Sequence, residues 1–206
     1  MLVKTLEERF GYDTPIFTDE ILKLFPQYTR AYVFRLINAA EQSGKLIQAD
    51  TGTYYLPRMT LFGPSVITAS DIARKKYIQN GSDVYGIYSG LVLQNSFLLT
   101  TQMANTPEII TNNASARCRK VVIDGKPFIL RKSRTEITAE NVCAYQVLQL
   151  FTEANGVEVN EDGKQSILKF ISKSGVERNA LLELAKSFPA KTLQKLIYSG
   201  VLYNAT

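Results

Sequence analysis

A chain of 206 residues that is 45% apolar and 21% charged can bury one sizeable core or two smaller ones, which excludes a disordered chain. It contains no histidine and only Cys118 and Cys143, which removes Ser-His-Asp and Cys-His catalysis, His-ligated zinc and any disulfide framework. The net charge of +5 points to a polyanionic partner and is unevenly spread: residues 1–60 hold seven Lys/Arg and seven Asp/Glu, whereas 114–134 hold seven cations against Asp124 alone.

The opening "MLVKTLEERF" carries charges where a signal peptide needs an apolar run. The longest apolar candidate, "GIYSGLVLQNSFLL", is interrupted by Ser89, Gly90, Gln94 and Asn95, short of the roughly 18 residues of a membrane span. Both features imply a cytoplasmic protein without a membrane partner.

In chain order, Leu2, Leu6 and Phe10 recur at a spacing of four, which predicts a short helix ended by Gly11. Thr18 is placed to cap "DEILKLF", whose Asp19 and Glu20 suit the positive end of the helix dipole, and Pro26 stops that helix. Thr29 is placed to cap a third helix with an apolar stripe of Val33, Ile37 and Ala40, Phe34 beside it and Gly44 at its end. After Gly44 the period changes to two, and "KLIQAD", "DTGT" and "TYYLP" predict a hairpin. Helix, helix, tight turn, helix and two-stranded wing within residues 1–62 is the order of a winged helix-turn-helix domain.

In such a domain the third helix presents its outer, N-terminal face to the DNA major groove. Its polar positions are Gln27, Thr29, Arg30, Tyr32, Arg35 and Asn38, and no acidic residue occurs from Gln27 to Ala40. Arg30 and Arg35 suit guanine, Asn38 and Gln27 suit adenine, and Thr29 suits a phosphate, with Thr51 and Thr53 on the wing. The competing reading is a protein-contact module whose third helix is a plain solvated face, which the zero net charge of residues 1–60 favours.

Gly63 and Pro64 mark a domain boundary near 62–68, followed by a helix from Ser70 to Ile78. "DVYGIYSGLVLQNSFLL" reads as a second helical segment, with Gly86, Ser89 and Gly90 allowing close packing. "TPEIITNN", "CRKVVIDG" and "KPFILRKS" read as an antiparallel β-meander with a turn at Asp124-Gly125 and a buried face of Val121, Ile123, Phe128 and Leu130. Its cations Arg117, Arg119, Lys120, Lys126, Arg131, Lys132 and Arg134 form either a second nucleic-acid patch or a solvated rim that protects strand edges, and Cys118 between two arginines is an ordinary strand residue. Thr138 opens a broad-faced helix carrying Val142, Tyr145, Val147, Leu148 and Phe151. "NGVEVNEDGKQ" is a loop turning at Asp162-Gly163, with Glu158, Glu161 and Asp162 facing solvent, and three short helices close the chain. The fold class is therefore α+β, a winged helix-turn-helix followed by a mixed domain over 68–206.

No phosphate loop, nucleophile elbow or paired carboxylates in an apolar setting occur, so neither an enzyme nor a cofactor is indicated. The segments "SGKLIQADTGTYYLP", "YSGLVLQNSFLLTTQMANTPEIITNN", "ARCRKVVIDGKPFILRKS" and "TAENVCAYQVLQLF" resemble the AbiEi-like antitoxins of type IV toxin–antitoxin systems, over most of residues 15–152. The resemblance implies a non-enzymatic transcriptional regulator that binds promoter DNA of its own operon. It also implies a region, here 68 onward, that opposes a co-encoded nucleotidyltransferase-like toxin without needing a stable complex with it. Double-stranded DNA with repeated half-sites is the expected partner. The alternative is a protein- or RNA-binding module in which the basic meander, not the winged domain, touches nucleic acid.

Overall fold

The structure is a computed structural model that describes residues 1–153 and 161–204. The chain is a mixed α+β protein, and it divides into two compact units, Met1–Lys75 with Ile123–Lys126, and Lys76–Val122 with Pro127–Thr206. No helix among the described residues is long and apolar enough to cross a membrane.

In the first unit α1 (Leu2–Phe10) buries Leu2 and Leu6 and stops at Gly11, whose φ of 71° is open to glycine at little cost. Strand β1 (Ile16–Phe17) runs directly into α2 (Thr18–Leu24). Because β1 is paired to its last residue, Phe17 becomes the N-cap, its N–H donating to Glu20 Oε2 at 2.8 Å. Thr18 is therefore the first helical residue rather than the cap, and its hydroxyl donates to the Gly52 carbonyl at 3.1 Å. Helix α3 (Arg30–Gln42) starts as its sequence predicts, with the Tyr32 N–H donating to Thr29 Oγ1 at 3.3 Å, and buries Val33, Ile37 and Ala40. Strands β2 (Ile47–Asp50) and β3 (Thr53–Tyr55) form the expected hairpin, turning at Thr51-Gly52, and β1 adds to it in the antiparallel order β1-β3-β2. Leu6, Ile16, Ile21, Val33, Ile37 and Leu46 are each at most 1% exposed in the core beneath these elements, and such side chains contribute about 1.5–3 kcal/mol apiece.

A small hairpin, β4 (Met59–Thr60) and β5 (Gly63–Pro64), leads to α4 (Ala69–Tyr77), where Thr68 and Asp71 exchange capping hydrogen bonds. The division between units falls after Lys75, inside α4, later than the 62–68 read from composition. Lys75 faces the first unit, its buried ammonium donating to the Pro15 carbonyl at 2.7 Å and to Glu20 Oε2 at 2.8 Å.

In the second unit β6 (Gln79–Asn80) and β7 (Asp83–Val84) form a short hairpin, then β8 (Gly86–Ser89) passes into α5 (Gly90–Ser96). The segment expected to be wholly helical is thus half strand. Gly86 is small for a backbone reason: a Cβ there would collide with the Tyr77 carbonyl oxygen and stand 2.8 Å from that of Ile110. Strands β9 (Glu108–Thr111), β10 (Cys118–Ile123) and β11 (Lys126–Lys132) join β8 in the order β10-β11-β9-β8. The β-meander is corrected to a mixed sheet, since β11 lies parallel to β9 (Leu130 opposite Ile109) while β9 is antiparallel to β8. The Asp124-Gly125 turn holds, with φ of 45° and 71°.

Helix α6 (Val142–Glu153) begins four residues after Thr138, because the Thr138 N–H donates to Asn141 Oδ1 at 2.9 Å and that turn precedes the helix. Helix α7 (Glu161–Ser174) takes in Asp162-Gly163, correcting the expected turn, and its two leading acids suit the helix dipole. The rest of that predicted loop, with Glu158, lies outside the described residues. Helices α8 (Arg178–Ala185) and α9 (Ala190–Tyr198) and a 3₁₀ turn at Val201–Asn204 complete the helical cluster, and Leu148, Ile167, Leu181 and Leu196 share its core.

Candidate nucleic-acid interface

The helical period sets Ala31, Arg35, Asn38 and Gln42 opposite the buried row Val33, Ile37 and Ala40, and all four are exposed. Arg30 flanks that face on the Phe34 side, its guanidinium 5.6 Å from the Phe34 ring centre, and Tyr32 flanks the other, its ring 4.9 Å from that of Tyr28. Gln27 and Thr29 are exposed just before the first turn. No carboxylate pairs with Arg30 or Arg35 among the described residues. The sequence thus places six candidate residues on or beside one accessible face.

The two threonines of the β2–β3 hairpin separate. Thr51 is exposed at the turn, its N–H donating to Asp50 Oδ1 at 2.7 Å. Thr53 is only 3% exposed, because it sits in the central strand opposite Phe17, and it is not an accessible contact residue.

All seven cations of 114–134 are exposed, yet they do not act as one group. Lys126 belongs to the first unit and the other six to the second. Arg117, Arg131, Lys132 and Arg134 line a cleft of about 970 Å³ in the second unit, which Arg119 and Lys120 do not. Arg131 is already engaged there: its Nε donates to Glu108 Oε2 at 2.7 Å, and that hydrogen bond raises the guanidinium's pKa further. Lys132 and Arg117 stand side by side, the Lys132 N–H donating to the Arg117 carbonyl at 3.2 Å, and neither finds an acidic partner among the described residues.

No protein-family model matches the chain, and no curated protein matches it significantly.

The cleft is also lined by residues that composition and charge runs do not reveal. Glu153 Oε2 accepts the Gly90 N–H at 2.8 Å, Glu153 Oε1 accepts from Gln149 Nε2 at 2.6 Å, and burial pushes the carboxyl above its ordinary range. The Gln149 carbonyl oxygen, buried, has no hydrogen-bond partner among the described residues. The overlooked signal is the spacing Tyr145, Gln149, Glu153 on one row of a largely apolar helix. Glu108 joins them only through the register of the sheet. Cys118 is a free, exposed thiol on the same cleft.

Proposed function

We propose that the first unit is a winged helix-turn-helix that binds double-stranded DNA with α3 in the major groove and the β2–β3 hairpin beside the backbone. The observation that carries this reading is the exposed surface of α3: Arg35 and Asn38 on its outer face, Arg30 exposed at its first residue, no acid between Gln27 and Ala40, and no carboxylate neutralising either arginine among the described residues. An α-helix fits the major groove, and a guanidinium pairs bidentately with the O6 and N7 of guanine. Thr29 and the first-turn N–H groups suit a phosphate.

On this reading the protein is a regulator of its own operon, bound to repeated half-sites. Together with the likeness to AbiEi-like antitoxins, the second unit is assigned the opposition to a co-encoded nucleotidyltransferase-like toxin. The near-zero net charge of the first unit puts the weight on base contacts rather than on phosphate neutralisation, so selectivity survives added salt. Fluorescence anisotropy of the purified chain against its own upstream DNA and a scrambled duplex, at low and physiological salt, tests this. Preference for its own DNA at both salts supports the reading; equal, salt-erased binding to the two duplexes refutes it.

A further inference from the structure

The cleft of the second unit is lined by two chemically different groups of residues, and that difference points to its occupant. In the first group Arg117, just before β10, and Lys132, at the end of β11, are tied by a 3.2 Å backbone hydrogen bond. Arg134 follows two residues on, its backbone N–H donating to the Tyr145 hydroxyl at 2.9 Å and its guanidinium 5.7 Å from the Phe188 ring centre. No ion pair compensates any of these three cations among the described residues, whereas Arg131 beside them is held by Glu108. Three uncompensated cations around one concavity make a phosphate site, and arginine's fork suits phosphate oxygens in particular.

In the second group the chemistry reverses. The Glu153 carboxyl is held by Gly90 and Gln149, and the Gln149 side chain, from a residue 5% exposed, keeps beside it a carbonyl oxygen without a partner among the described residues. These acceptors ask for a ligand edge that carries N–H donors, because a buried acceptor left unmet costs about 1–3 kcal/mol. A volume of about 970 Å³ is at the upper end for a small-molecule pocket and would be left nearly empty by inorganic phosphate.

We propose that this cleft binds a nucleoside phosphate, its phosphate on Arg117, Lys132 and Arg134 and the donor edge of its base toward Glu153 and Gln149. The ligand is either a free nucleotide or the 5′-phosphorylated end of a single strand, which share that chemistry. The site is independent of α3 and does not rest on the duplex-binding reading.

Calorimetric titration of the full chain with the four nucleoside 5′-monophosphates, inorganic phosphate and a 5′-phosphorylated hexanucleotide provides the test. At least one monophosphate binds ten or more times tighter than inorganic phosphate. The double variant Arg117→Gln/Lys132→Gln, at exposed positions that leave the fold intact by circular dichroism, weakens it by about tenfold or more. Glu153→Gln weakens the nucleotide but not inorganic phosphate, and Arg30→Ala/Arg35→Ala changes neither. Tighter binding of the hexanucleotide than of any monophosphate identifies a strand end as the source; the reverse identifies a free nucleotide. No binding at millimolar nucleotide, equal affinity for nucleotide and inorganic phosphate, or no effect of the Arg117/Lys132 variant overturns the proposal.

Discussion

Lys75→Ala is the substitution from which the first unit has most to lose. The side chain is 8% exposed, and its ammonium lies 2.8 Å from Glu20 Oε2 and 2.7 Å from the Pro15 carbonyl oxygen. It also stands 4.8 Å and 5.3 Å from the ring centres of Phe10 and Phe17. Truncation leaves the Pro15 carbonyl without this donor and removes the cation beside Glu20, which retains the Phe17 N–H. Breaking a buried pair from one side costs about 3–5 kcal/mol. Glu20 is 20% exposed and recovers some hydration, so the lower end, about 3 kcal/mol, is expected. With a urea dependence of about 2 kcal/mol/M, the midpoint followed by tyrosine fluorescence falls by about 1.5 M. Lys75→Met separates charge from packing because it keeps the aliphatic stem, and adding Glu20→Gln to it removes the carboxylate that has lost its ammonium. The double variant is therefore less destabilised than the sum of the two singles by about 1 kcal/mol or more. A cost below about 1 kcal/mol for Lys75→Ala, or strict additivity in the cycle, refutes the assignment of Lys75 as the tie between α4 and the β1–α2 corner.

Other substitutions test separate parts of the structure. Thr29→Ala removes the cap of α3 and lowers stability by about 1 kcal/mol in chemical denaturation, while Thr29→Ser restores most of it. Gly86→Ala sets a methyl group against the Tyr77 and Ile110 carbonyls and costs more than about 2 kcal/mol; a neutral result contradicts the close approach of β8. Burial holds the Glu153 carboxyl above its ordinary pKa, so the folded state binds that proton more tightly than the unfolded one. Wild-type stability from this group is then fully present below the ordinary carboxyl value and is lost as the pH rises through the raised one. Glu153→Gln abolishes that loss, and its melting temperature gains on wild type between pH 4 and pH 7; a flat or opposite difference contradicts the burial.

What was legible in the sequence is local. Thr29 caps α3, Gly11 and Gly44 end helices, and Val33, Ile37 and Ala40 face the core, because a cap or a stripe is written within a few residues of where it acts. Thr18 was misassigned for want of a long-range fact: the pairing of β1 with β3 makes Phe17 the last extended residue. Gly86 carries a true signal, close approach, but it sits on a strand rather than a helix, and its neighbours are the carbonyl of Tyr77 at the end of α4 and that of Ile110 on the adjacent strand. The parallel pairing of β11 with β9 follows from no turn signal, and so neither does the meeting of Glu108 with Arg131. Thr53 stands next to a turn and reads as exposed, yet β3 is the central strand between β1 and β2 and all three of its residues are buried. In the basic stretch, charge counting found the cations but could not separate Arg131, which is paired, from Arg117 and Lys132, which are not.

The most direct test of the account compares wild type with Arg30→Ala/Arg35→Ala for affinity to the chain's own upstream DNA and to a scrambled duplex. Each bidentate arginine–guanine contact supplies about 1–3 kcal/mol of discrimination, so the double variant loses about 30-fold or more in preference for its own DNA. Both positions are exposed, so its melting temperature stays that of wild type. Undiminished affinity and selectivity in a folded double variant would contradict the assignment of α3 as the helix that reads DNA.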